Sequence, residues 1–236
     1  RRPVKMARLF ADRPAASFLP TFSNLFGTRN YDKLRNVFTS FVYYWSWITF
    51  IIIGGFITFN GALIELWVGK EFYLGDTLNS LMCMMYLISS FSYSIGNFSF
   101  AMGNIKGNSI AEGIGSIVWV FMLFLLGREL GLIGFILAPI IAKLSCEFWY
   151  FPSVIIKKIK YRNIEINRLL RHFSFLVSVN FVLVIFFIQF KTYNWYSLII
   201  MSVTFSIIYF GLNYFLSTKF KGELNYLIQN RKFKLQ

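Results

Sequence analysis

The chain has 236 residues, of which 56% are hydrophobic, 20% aromatic and only 14% charged, against about 25% charged in an ordinary soluble domain. That is too little polar surface to cover a core of this size, which argues against a soluble enzyme, a disordered chain or a disulfide-stapled secreted domain. The net charge of +14 suits either nucleic acid or a membrane face, and its placement along the chain chooses between them.

Residues 1–37 hold eight cations: Arg1, Arg2, Lys5, Arg8, Arg13, Arg29, Lys33 and Arg35. The chain opens Arg1-Arg2-Pro3 rather than with Met, so we expect Arg1 not to be the natural start. No apolar run follows the early charges, and nothing there resembles a signal peptide. Over 1–27, apolar residues are interspersed with Arg, and two readings stand. One is an amphipathic helix on the cytoplasmic surface. The other is the lower part of a truncated span with Arg8 and Arg13 facing a central cavity, where an Arg fork suits a phosphate.

Six stretches then reach the roughly 20 apolar residues needed to cross hydrocarbon as a helix. They run over 38–59, 78–101, 110–127, 131–151, 172–190 and 195–216. The runs do not alternate as barrel strands would, and helices satisfy their own backbone in lipid. The fold class is therefore all-α and integral to a membrane. The first four spans carry Gly, with Ser92/Gly96 and Ala111/Gly115 four apart, a spacing that lets helices approach closely. The fifth carries none and the sixth only Gly211, so these two read as a peripheral, lipid-facing hairpin. Pro139 sits mid-span and is expected to kink its helix or open a gap in its ladder. Trp67 and Asn194-Trp195-Tyr196 fall at outer span ends, where amphipathic rings favour the interface. Cys83 and Cys146 lie in apolar segments and read as packing residues.

The connections alternate in charge. The 152–171 segment holds six cations (Lys157, Lys158, Lys160, Arg162, Arg168 and Arg171) and the tail 217–236 holds five. With 1–37 and Lys106 they form one side; the other has only Lys70, Arg128 and Lys191. The positive-inside rule puts both ends in the cytoplasm. The basic excess then meets anionic lipid at that face, and nucleic acid is not an expected partner. The division expected is 1–37 as helix end and cytoplasmic loop, 38–151 as four packed helices, 152–171 as a basic loop, 172–216 as the hairpin and 217–236 as a basic tail.

Catalytic chemistry is not legible. His172 is the only histidine, and there is no cluster of metal ligands, no phosphate-cradling Gly loop ending in Lys-Ser/Thr, no GxSxG and no HExxH. We expect no enzyme, no cofactor and no metal. Lys143 and Glu147 are four apart on the fourth span, hence on one helix face. A lone Lys at mid-bilayer costs about 2.5–3.5 kcal/mol on insertion scales. The pair reads either as an intrahelical ion pair near the cytoplasmic end, with Lys143 snorkelling, or as a charged cavity wall. Glu112, early in the third span, reads as interfacial.

Several stretches carry a family resemblance over residues 17–143. Leu66-Trp67-Val68-Gly69-Lys70-Glu71-Phe72 resembles the LWxG stretch of bacterial polysaccharide exporters. Leu19 to Gly27 followed by Asn30 to Leu34 resembles their turn before the ninth helix, and Ala101 to Lys106 and Gly131 to Ala138 resemble two later stretches in the same order. The family is the O-antigen and capsule repeat-unit flippases, in the superfamily that also holds the drug-extrusion antiporters and the lipid II flippase. The resemblance implies the C-terminal portion of a fourteen-helix transporter: the end of helix eight, four helices of a second lobe that meets an N-terminal lobe around a cavity, and an extra helix pair. It implies export of undecaprenyl-diphosphate-linked oligosaccharide across the bacterial inner membrane by alternating access. Partners would be that lipid-linked substrate, membrane lipids, the missing lobe, and a polysaccharide polymerase and glycosyltransferases. Arg8, Arg13 and Lys143 become candidate diphosphate contacts and Glu147 a candidate for ion coupling. The alternatives are a drug/cation antiporter of the same superfamily, a non-transporting membrane subunit or a glycan polymerase.

Overall fold

The computed structural model describes residues 17–190 and 194–216. Among these the chain is helical with short connections: α1 (17–27), α2 (Tyr31–Trp67), α3 (Asp76–Ala101), α4 (Ile105–Leu130), α5 (Leu132–Ser145), α6 (Glu147–Lys158), α7 (Asn163–Ile188) and α8 (Trp195–Leu216). α5 and α6 together make one rod, so six long rods follow α1.

Five rods are long and apolar enough to cross a membrane: α2, α4, α5–α6, α7 and α8. α3, the second expected span, is not among them, because its middle carries Ser90, Ser92, Ser94 and Ser99, all buried. Hydropathy scores a helix as though every face met lipid, whereas these hydroxyls point into the bundle. Ser90 Oγ, for example, accepts from the Trp45 indole at 3.1 Å.

α2 is the mast of the fold. Phe38, Phe41 and Trp45 recur at helical spacing on one face, and Tyr43, Trp47 and Phe50 on another. The first face joins Phe22 of α1, Phe98 of α3 and Phe151 of α6 in one core. Phe22 meets Phe98 edge to face, 4.6 Å between centroids. The second face packs against α7 and α8, where Phe59, Phe187 and Phe205 form a ring cluster with centroids 5.4–6.1 Å apart. α7 and α8 pair with α2 and with each other, and with none of α3, α4, α5 or α6. A smaller core of Ile88, Ile136 and Ile140 joins α3 to α5.

α4 and α5 form the tightest pair. Gly131 alone joins them, at φ +55 and ψ −127, a conformation that a side chain resists. Three residues on, Gly134 lies so close to the Leu126 carbonyl that a Cβ there would overlap it. Small residues draw backbones together in lipid, where apolar burial gives no drive for one helix to choose another.

Two expectations shift. The 152–171 segment is mostly helix: α6 runs to Lys158, α7 starts at Asn163, and four residues connect them. Lys and Arg are good helix formers, so a loss of hydropathy marks where the charges sit, not where the helix ends. Second, the rod breaks at Cys146, whose φ −140 and ψ −65 leave the helical region, with Pro139 lying inside α5. The connection 159–162 is clasped to α2. Arg35 donates to the carbonyls of Ile159 and Lys160 and pairs with Asp32 and with Glu165 (3.8 Å). The buried Tyr161 hydroxyl lies 2.6 Å from Thr39 Oγ1. Burial raises its pKa against the lowering pull of that hydrogen bond, so it stays protonated near neutrality.

Candidate functional site: a charged cleft between α3, α4 and the broken helix

Residues spaced four apart on three neighbouring rods, most of them polar, face one another. They are Ser92 and Gly96 on α3; Asn108, Glu112 and Ser116 on α4; and Lys143, Glu147 and Phe151 on α5–α6. Spacing by four keeps each set on one face, and the three faces close around a cleft of about 420 Å³ that also reaches Tyr93, Asn97 and Phe100. The lining residues fall in the last turns of α3 and the first turns of α4. The cleft therefore lies toward the end of the bundle that carries Asn104 and Tyr161, away from Gly131.

Glycines set the walls. A Cβ at Gly96 would stand 2.9 Å from Phe151 Cε2, and one at Gly115 would stand 2.8 Å from Glu147 Oε1. The Glu147 carboxylate thus leans on bare α4 backbone. Its Oε2 accepts from Lys143 Nζ at 2.6 Å. The pair straddles the break, with Lys143 in the last turn of α5 and Glu147 the first residue of α6. Its members are unequally placed: the Glu147 side chain is 9% exposed and that of Lys143 28%.

Beside the pair runs a hydrogen-bonded polar cluster. Ser99 Oγ donates to Asn108 Oδ1 at 2.7 Å, Asn108 Nδ2 donates to the Gly96 carbonyl at 2.8 Å, and Asn104 Nδ2 reaches the Tyr150 hydroxyl at 3.2 Å. This cluster fixes the α3–α4 turn and holds Asn108 at the cleft wall. Ser92, 1% exposed, also lines the cleft, and its hydroxyl has no hydrogen-bond partner among the described residues. A buried hydroxyl without a partner is uncommon and invites a ligand or water.

The structure brings Lys143 and Glu147 together in an ion pair across the break at Cys146, and the pair lines the cleft. Glu112, exposed in the early turns of α4, also lines the cleft. The periodicity 108/112/116 was the available signal. Arg8 and Arg13 lie outside the described residues. No group of three His, Cys, Asp or Glu is placed to hold a metal among the described residues. His172 is buried, 2.8 Å from Ser46 Oγ and in tilted ring contact with Tyr43. A second hollow, about 260 Å³ between α2 and α8, is lined by Ile51, Phe56, Phe59, Leu198 and Phe205 and carries no charge.

Five membrane-length apolar helices among the described residues, with a charged cleft between α3, α4 and α5–α6, define an all-α, multi-pass membrane protein. The chain trace matches a solved structure described as the lipid II flippase MurJ in an inward closed conformation, with TM-score 0.57 and 19% identity, over 89% of this chain and 47% of that one. At that identity the likeness is one of fold, and the chain spans about half the length of the protein it matches. No family model and no curated protein matches the sequence.

Proposed function

We propose that this chain forms the C-terminal part of an alternating-access transporter that flips an undecaprenyl-diphosphate-linked oligosaccharide repeat unit across the bacterial inner membrane. The observation that carries the reading is the charged cleft inside a bundle with a lipid flippase's fold. A glycan and its diphosphate need a wet, polar path, while a prenyl tail needs none and stays in lipid. A second lobe would complete the cavity, and both ends of the chain would face the cytoplasm, consistent with the charge alternation. The cleft then opens in the cytoplasmic half, where a substrate assembled on the inner leaflet is taken up. Lys143 is the proposed diphosphate contact and Glu147 the proposed ion-coupling carboxylate; Arg8 and Arg13 stay candidates for the same headgroup. The chain acts by moving a ligand and not by transforming it.

One observation favours a second reading. Among the described residues, Glu112 and Glu147 line the same cleft against Lys143 alone, and a cation antiporter of the superfamily would use acidic cavity residues. Replacing Lys143 with Ala in the full-length protein separates the two. The flippase reading expects surface glycan to fall at least tenfold at unchanged protein level. Unchanged glycan export, with altered resistance to cationic drugs, would favour the antiporter.

A further inference from the structure

Among the described residues the cleft holds one cation and two carboxylates, and that cation is already engaged. Lys143 Nζ gives one of its three donors to Glu147 Oε2. The carboxylate is buried in the wall against Gly115, while the ammonium is the more open partner and faces the cleft. A neutral pair attracts an incoming anion weakly, and Glu112 on the facing helix repels it. A phosphate-bearing headgroup can therefore use Lys143 fully only if the carboxylate gives way.

Resting on the reading that this cleft receives a phosphate-bearing headgroup, we propose that Glu147 is an internal stand-in for that ligand: its carboxylate holds the anion position at Lys143 and is displaced when the headgroup binds. Three features make displacement feasible. The pair bridges the break at Cys146, and Trp149 and Tyr150 both donate to the Cys146 carbonyl, so α6 begins afresh there. With α6 held in the core by Phe151 and Ile155, the Glu147 side chain can swing off Lys143 by its own torsions at the first residue of α6. A diphosphate carries more charge and more acceptor oxygens than a carboxylate, so it competes well for an ammonium. The Ser92 hydroxyl, buried at the same cleft and without a partner, offers a neutral donor that no internal group occupies. The cost of unseating a buried carboxylate also makes the site selective, because a weakly charged anion cannot meet it.

The test is binding of farnesyl diphosphate to the purified full-length protein in detergent, by calorimetry, with farnesol as the uncharged control. Glu147→Gln, which keeps an acceptor for Lys143 but removes the competing charge, is expected to tighten farnesyl diphosphate about tenfold and leave farnesol unchanged. Lys143→Met is expected to reduce the diphosphate ligand to the level of farnesol. Glu112→Gln is expected to gain much less than Glu147→Gln, because Glu112 acts only through space. If Glu147→Gln cannot be purified, Glu147→Asp loosens the same pair and should tighten binding by a smaller factor. Equal or weaker binding by these Glu147 variants, with farnesol binding intact, overturns the stand-in; so does an equal gain from Glu112→Gln. Unchanged binding in Lys143→Met overturns the headgroup site itself, which distinguishes the two failures.

Discussion

The two sides of α2 are held together by different means. On the α7–α8 side, Phe59, Phe187 and Phe205 fill volume between the helices, with Gly54 making room for Phe205 and Asn180. On the α3–α6 side, Gly96 admits the Phe151 ring, Gly115 the Glu147 carboxylate and Gly134 the Leu126 backbone. The contrast teaches where a membrane protein places its chemistry. A ring cluster excludes water and fixes one arrangement. Glycine contacts leave room for a buried charge pair, a hydrogen-bonded turn and an interrupted helix, which are the parts a moving cavity needs.

Substitutions at the two sides should break this contrast in graded fashion. The largest effect is expected at Gly134, where any side chain meets the Leu126 backbone and no rotamer relieves it. Gly134→Val should cost about 3 kcal/mol or more, at the upper end of overpacking, seen as loss of a monodisperse protein or a steep fall in Tm. Gly55→Ala, with nothing within 4 Å of the new Cβ, should leave Tm unchanged and serves as its control. Next comes Phe205→Ala in the ring cluster. In water a buried Phe→Ala costs about 3–5 kcal/mol. Here the unfolded reference also lies in hydrocarbon, so only packing is lost, and we expect less than that figure with transport largely kept. A loss equal to the soluble value would mean that the hairpin does not meet lipid.

Much of the fold was legible because lipid imposes a simple rule: six runs of about twenty apolar residues became six rods. Helix ends were less legible. Arg162, Arg168 and Arg171 favour helix as well as water, so α7 begins nine residues before its apolar run. The break at Cys146 carries no Gly or Pro of its own, and Pro139, the visible signal, lies inside an unbroken α5. In the site, the Lys143–Glu147 pair was readable because i,i+4 spacing is local. Glu112 is 35 positions away from Glu147 in the chain, and what joins them is the approach of α4 to α6 over Gly115. Spacing shows that Gly115 is available for a contact but not which side chain arrives there.

Uptake from the inner leaflet requires that the rods cross a bilayer with their basic ends inside. Single cysteines at Lys160, in the α6–α7 connection, and at Leu74, between α2 and α3, can be probed in intact cells with a membrane-impermeant maleimide, in a background lacking Cys83 and Cys146. Labelling is expected at position 74 from outside and at position 160 only after permeabilisation. Labelling at 160 and protection at 74 would invert the bundle and remove the proposed direction of transport.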